Sequence, residues 1–103
     1  MIQNVPSADV VVTNPTHYAV ALQYDAQRMQ APTLVAKGAD NIAFKIREVA
    51  EEHGVPIFEN KPLARALFAE LEIGDEIPEQ YYQALVTILK EVYRMKGRKV
   101  VYG

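Results

Sequence analysis

No cysteine occurs among the 103 residues, which excludes disulfides, thiolate nucleophiles and cysteine metal sites together. Its absence fits a reducing compartment. Histidine is scarce as well: His17 and His53 are the only two, a poor metal set without thiols, and no metal or cofactor is expected. The five glycines, at 38, 54, 74, 97 and 103, cannot form GxGxxG or a P-loop, so nucleotide binding has no support. A dominant charge is missing too. With a net charge of −2 the chain has no overall basic field to draw nucleic acid or anionic lipid. No apolar run approaches the roughly 20 residues that span a bilayer, and nothing resembles a signal peptide. The chain by itself is expected to be soluble.

What is present describes one globular domain: half the residues are hydrophobic (50%) and 23% are charged. "DVVVT" (9–13) is continuous and β-branched, the composition of a short strand buried on both faces. "YAVALQYD" (18–25) and "TLVAKG" (33–38) read as further strands, separated by a polar loop that ends in Ala31-Pro32. Asp40 is placed to cap a helix in which Ile42, Ile46, Val49, Ala50 and His53 recur at helical spacing. Gly54 then supplies a left-handed stop, and Pro56 forbids continuation. "VPIFE" (55–59) is expected to be a fourth strand inside the sheet. Asn60 caps a helix with Pro62 in its first turn and Leu63, Leu67 and Leu71 as its stripe. After a connector (72–78), a last helix begins near Glu79 with Tyr82, Leu85, Ile88, Leu89, Val92 and Met95 on one face. This order predicts an α/β fold: a small mixed four-stranded sheet flanked by three to four helices, with the 14–17 loop joining the first two strands. Residues 1–8 read as the end of a linker, 9–96 as the domain and 97–103 as a tail.

Most polar features have ordinary explanations. Lys37-Gly38 stands where a strand hands over to a helix, a possible anion site, yet a turn glycine accounts for it. His53 in a last helical turn complements the dipole, as do Arg94, Lys96, Arg98 and Lys99 at the end of the final helix; those four could also face an acidic partner or a membrane surface, which four charges do not establish. Glu51 and Glu52 are helical neighbours that point apart, which suits a solvated face.

Asn14-Pro15-Thr16-His17 is different. Asparagine ordinarily degrades when the next backbone nitrogen attacks its side chain, but Pro15 has no N–H and closes that route. The reverse attack stays open: the Asn14 side-chain nitrogen adds to its own main-chain carbonyl, a succinimide forms, and Pro15 leaves as a new amino terminus. The proline also biases Asn14 away from helical geometry. Holding a near-attack arrangement is worth up to about 7–11 kcal/mol in intramolecular reactions. His17 closes the four-residue turn and could pass the proton. From the residues alone both readings stand, an inert Asn-Pro turn and a self-cleaving one.

"NPTH", set within "ADVVVTNPTHYAVALQYD", resembles the cytoplasmic domains of the FlhB/YscU/SpaS family of type III export switch proteins. The likeness continues through "APTLVAKGAD" (31–40), "VPIFENKPLARALF" (55–68) and "EIPEQYYQALVTILKEVYRMK" (76–96), covering nearly the whole chain in order. It implies a membrane half of four helices preceding this domain, on the cytoplasmic face of the bacterial inner membrane. It further implies cleavage between Asn14 and Pro15, with Thr16 and His17 completing the loop. The reaction would run once per molecule, without turnover, and the fragments would stay associated. Cleavage would let the flagellar exporter pass from rod and hook substrates to filament substrates.

The resemblance also implies a patch for rod- and hook-type substrates at Ala31, Pro32, Val86 and Leu89, where Val86 replaces a smaller alanine common in the family. Other export-gate proteins and the hook-length control protein are implied partners; no nucleic acid is. In "PLARALF" (62–68) packing explains the leucines and leaves Arg65 as a candidate contact. "AKGAD" and "ENKPLARAL" look flagellar rather than virulence-type. A soluble orphan binding module beginning at Met1 is the second alternative, and an independent enzyme is the least supported.

Overall fold

In the computed structural model, which describes residues 1–24, 27 and 31–102 and the side chains through residue 95, the β-branched run forms β1 (Val10–Asn14). Its antiparallel neighbour is β2 (Tyr18–Gln23), which in turn pairs antiparallel with β3 (Thr33–Ala39). On its other side β1 pairs in parallel with β4 (Ile57–Glu59), so the mixed sheet has the order β3-β2-β1-β4. Three α-helices follow the expected sequence: α1 (Asp40–Glu52), α2 (Lys61–Glu70) and α3 (Tyr82–Tyr102). A 3-10 helix (Ile2–Ser7) precedes β1, and a 3-10 turn (Glu79–Tyr81) leads into α3. The expected α/β class and four-stranded sheet are present.

Alternation along the central strands divides the core in two. Val10, Val12, Val20, Leu22 and Leu34 face α2 and α3, where Leu63, Leu67, Leu71, Leu85, Ile88 and Val92 complete one cluster. Val11, Ala19, Ala21 and Ala36 face the opposite way, toward Ala43, Ile46 and Ala50 of α1 and Val5 of the first 3-10 helix. The second face carries mostly alanines, so α1 can lie close to the sheet. Val5 is completely buried there, and Met1 and Ile2 pack beside it.

Several local expectations need correction. β4 is an edge strand, not an interior one: Ile57 and Phe58 are half-buried and Glu59 is exposed. Three residues ending in a charge suit an edge, where unpaired backbone groups meet water. Ala39, not Asp40, is the N-cap of α1; Asp40 begins the helix at φ +51° without a side-chain capping bond. Its amide instead donates to the His17 carbonyl at 2.9 Å. Gly38 is no turn glycine but lies within β3, opposite Ala19. A Cβ there would come within 2.7 Å of Ile42 Cβ and 3.1 Å of its carbonyl carbon. Ile42 itself is 46% exposed and Met95 43% exposed, so neither belongs to the buried faces assigned to them.

Other expectations hold. Asn60 accepts the Leu63 amide at 3.2 Å as N-cap of α2, and Gly54 has φ +71° after α1. Lys37 Nζ donates to the carbonyls of Phe68 (3.1 Å) and Leu71 (2.7 Å), satisfying the end of α2, and lies 3.5 Å from the Glu72 carboxylate. Glu51 and Glu52 are exposed. Arg94 pairs with Glu91 across one helical turn, while the side chains of Lys96, Arg98 and Lys99 and the expected strand end at Asp25 lie outside the described residues. Backbone helix continues past 96, through Tyr102.

Gly38→Ala is expected to destabilise the fold by about 1–3 kcal/mol, because α1 must move to admit one methyl. Urea denaturation measures this, and adding Ile42→Ala should recover part of the loss.

Candidate functional site

Asn14 ends β1, in register with Tyr18, and is only 7% exposed. Pro15, Thr16 and His17 form the turn into β2, with Pro15 half-buried and Thr16 and His17 exposed. The His17 N–H donates to the Asn14 carbonyl oxygen at 2.9 Å, the bond that closes a four-residue β-turn with proline second. That carbonyl belongs to the Asn14–Pro15 bond. A donor at this distance already withdraws electron density from the carbonyl and would hold negative charge arising on the oxygen.

The turn is anchored on several sides. The Asn60 amide donates to the Thr13 carbonyl at 2.9 Å, tying the last turn of β1 to the start of α2. Asp40 N–H holds the His17 carbonyl at 2.9 Å, and Arg47 Nη1 of α1 reaches the Pro15 carbonyl at 3.3 Å. Backbone carbonyls at 13, 14, 15 and 17 thus all have donors, supplied by the turn itself, by α1 and by the N-cap of α2. No hydrogen bond engages the Asn14 side-chain amide or the His17 imidazole among the described residues; Asn14 is buried and His17 exposed. The structure assigns the clear local task of His17 to its backbone N–H; the imidazole stands exposed beside Tyr18, with ring centroids 6.2 Å apart.

The second group of singled-out residues is only partly brought together. Pro32, Val86 and Leu89 line one shallow cavity of 230 Å³ with Tyr24 and Tyr82. Ala31 does not join them; it is buried at 3% exposure. Leu89 serves two purposes, since it also packs against the larger core cluster. Tyr82, Val86 and Leu89 follow helical spacing and could be read together from the sequence, whereas Tyr24 joins them only through the path of β2. The two regions lie at opposite ends of that strand: Tyr18 to Tyr24 is about 20 Å at a strand rise of about 3.3 Å per residue. Arg65 is exposed and borders a separate 470 Å³ hollow with Tyr18 and Phe68, whose rings stack at 4.5 Å.

Arg47 was missed by sequence reading. Its contact spans 32 residues, and no local pattern marks it.

Comparison with known proteins identifies the context. The sequence model of the "FlhB HrpN YscU SpaS Family" matches residues 1–92. The flagellar biosynthetic protein FlhB of Bacillus subtilis is 54% identical over 98 residues, 95% of this chain, and the chain spans about a quarter of that relative's length (27%). The crystal structure of the cytoplasmic domain of FlhB from Shewanella putrefaciens superposes with TM-score 0.90 at 42% identity, over 99% of this chain and 78% of that one. An asparagine-to-alanine variant of the EscU C-terminal domain follows with TM-score 0.84 at 28% identity, over 88% of this chain and 91% of that one.

Val86 is 44% exposed while Ile88 is 8% exposed. Val86→Asp should therefore leave stability within about 0.5 kcal/mol of the parent, whereas Ile88→Asp, an unpaired buried charge, should unfold much of the population. Thermal melts of the two variants provide the check.

Proposed function

The chain belongs to the FlhB HrpN YscU SpaS family, and from that premise we propose that it is the cytoplasmic domain of a flagellar type III export protein that cuts itself between Asn14 and Pro15. The carrying observation is the His17 N–H on the Asn14 carbonyl, 2.9 Å away, in a turn whose second residue can leave as a secondary amine. In the proposed reaction a bond forms between Asn14 Nδ2 and the Asn14 carbonyl carbon. Negative charge gathers on the oxygen facing the His17 amide. The bond to the Pro15 nitrogen then breaks, and one proton passes from Nδ2 to that nitrogen. No water is consumed and nothing is oxidised. The His17 imidazole, free of other bonds, is the group proposed to relay the proton, a task typically worth roughly 10²–10⁴-fold. The reaction runs once, so the domain has no turnover.

Retention of the first fragment follows from the sheet. β1 is paired on both sides, and Val10, Val11 and Val12 are fully buried. Their burial contributes about 1.5–3 kcal/mol each as an upper estimate. Cleavage would thus leave the core standing and replace a tight turn by two ends. We assign this local change to the passage from rod and hook substrates to filament substrates. The cavity of Pro32, Val86 and Leu89, with Tyr24 and Tyr82, is proposed to receive the rod- and hook-type signals.

Other export-gate proteins and the hook-length control protein are proposed partners, as is the domain's own cleaved fragment. The setting is the cytoplasmic face of the bacterial inner membrane, with membrane helices supplied by sequence outside this chain; no described helix is long and apolar enough to cross a membrane. Identity of 54% and 42% to flagellar relatives, against 28% to EscU, favours the flagellar reading over the virulence-type one.

Fragments 1–14 and 15–103 are expected to co-elute on native size exclusion and separate in denaturant, while Asn14→Ala stays whole. An Asn14→Ala chain that still divides at this bond would refute cyclisation. For the patch, Val86→Asp and Pro32→Asp should each weaken binding of a hook-type export signal at least tenfold in titration calorimetry; unchanged affinity would remove it from the account.

A further inference from the structure

Among the described residues, Arg47 is the one whose side chain donates a hydrogen bond to the scissile turn from a distant element, and the proposed cleavage gives its position a purpose. Nη1 donates to the Pro15 carbonyl at 3.3 Å, while Nε is buried and has no hydrogen-bond partner among the described residues. Leaving a buried guanidinium nitrogen unpaired is costly. Arg47 thus reaches the turn from a partly buried position on α1 and not from the open surface. Its helix is held close to the sheet by the alanine-rich face and by Gly38, so the reach of Arg47 to the turn is set by the core.

We infer that Arg47 is a positioning residue for the self-cleavage, an inference that rests on the reading of the Asn14–Pro15 bond given above. The Pro15 ring fixes φ near −65°. With that angle fixed, holding the Pro15 carbonyl restricts the plane of the following peptide and limits rotation of the proline against the bond to be broken. The His17 amide holds the carbonyl on the other side of the same bond. Arg47 and His17 thus clamp the two carbonyls that flank the leaving nitrogen, while no hydrogen bond engages the attacking amide among the described residues. Arg47 touches neither the attacked carbon nor the leaving nitrogen; it acts through the proline.

The same contact changes character when the bond breaks. Pro15 then begins a chain, and its nitrogen carries a positive charge at neutral pH. That cation is separated from the guanidinium by one residue's backbone and a single hydrogen bond. Before cleavage Arg47 donates to a neutral carbonyl; afterwards a like charge stands one residue's backbone away, which loosens residues 15–17 from α1. The Asp40 amide, held by the His17 carbonyl, reports whether they remain docked.

The test follows cleavage of the freshly translated chain over time by denaturing electrophoresis, for wild type, Asn14→Ala, Arg47→Ala and Arg47→Lys. Arg47→Ala is expected to cut at least tenfold more slowly, since small misplacements of reacting groups cost up to about 100-fold. Arg47→Lys, which keeps a cationic donor, should stay within about threefold of wild type. Melting temperatures of both variants in the uncut Asn14→Ala background separate positioning from unfolding, and the lysine variant decides if the alanine variant is not folded. Hydrogen exchange at the Asp40 amide should be faster in the cleaved wild type than in the uncut Asn14→Ala chain. Wild-type speed in a folded Arg47→Ala chain, or lysine as slow as alanine, overturns the role of Arg47 and leaves cyclisation intact. Equal Asp40 exchange before and after cleavage overturns the release. A wild-type chain that never cuts removes cyclisation and this inference with it.

Discussion

The hydrogen bond from the His17 amide to the Asn14 carbonyl, 2.9 Å long, is the constraint on which the site depends. It exists because β1 stops at a fixed place and β2 starts at a fixed place. Residues 10–13 of β1 pair with residues 19–22 of β2, and Val10 through Val12 are sealed between two helical layers. A slip of one residue would turn Val11 to the α2 and α3 side and Val10 and Val12 to the α1 side, and would take Asn14 out of register with Tyr18. The register of the core therefore sets the geometry of a peptide bond at its edge.

The same asymmetry divides the domain by task. The face built from larger side chains receives α2 and α3 and supplies most of the apolar burial. The alanine face brings α1 close, and α1 in turn sends Asp40 and Arg47 to the turn. Fixing the turn from one helix and building the apolar cavity on another leaves about 20 Å of strand between them. β2 connects the two directly, beginning at Tyr18 beside the turn and ending at Gln23, next to Tyr24 of the cavity.

Much of this was legible in the sequence where the signal is local. The valine run, the Asn60 cap, Gly54 with Pro56, and the leucine spacing of α2 each depend on neighbours within a turn or two, and each is where it was expected. What escaped depends on contacts far apart in the chain. "VPIFE" reads as an interior strand, yet its rank in the sheet depends on long-range pairing: among the described residues β4 meets β1 on one side and has no strand on the other. Gly38 reads as a turn because glycine often is one, while its reason for being there is Ile42 pressed against it from α1. Ala31 looked available beside Pro32, but the connector bonds back to this loop through the Ile77 amide and buries it. Arg47 gave no sign at all. Within the candidate site the order Asn-Pro-Thr-His marked the turn, and the fold added which backbone groups hold it still.

The central claim is that the Asn14 side chain, not water, displaces the Pro15 nitrogen. Cleavage carried out in water enriched in heavy oxygen tests it directly, by the mass of the 1–14 fragment at the earliest times. The account predicts a fragment one water lighter than the hydrolysed form and free of label, which takes up heavy oxygen only later as the ring opens. A first product that already carries the heavy isotope and the full mass of a terminal asparagine would contradict it.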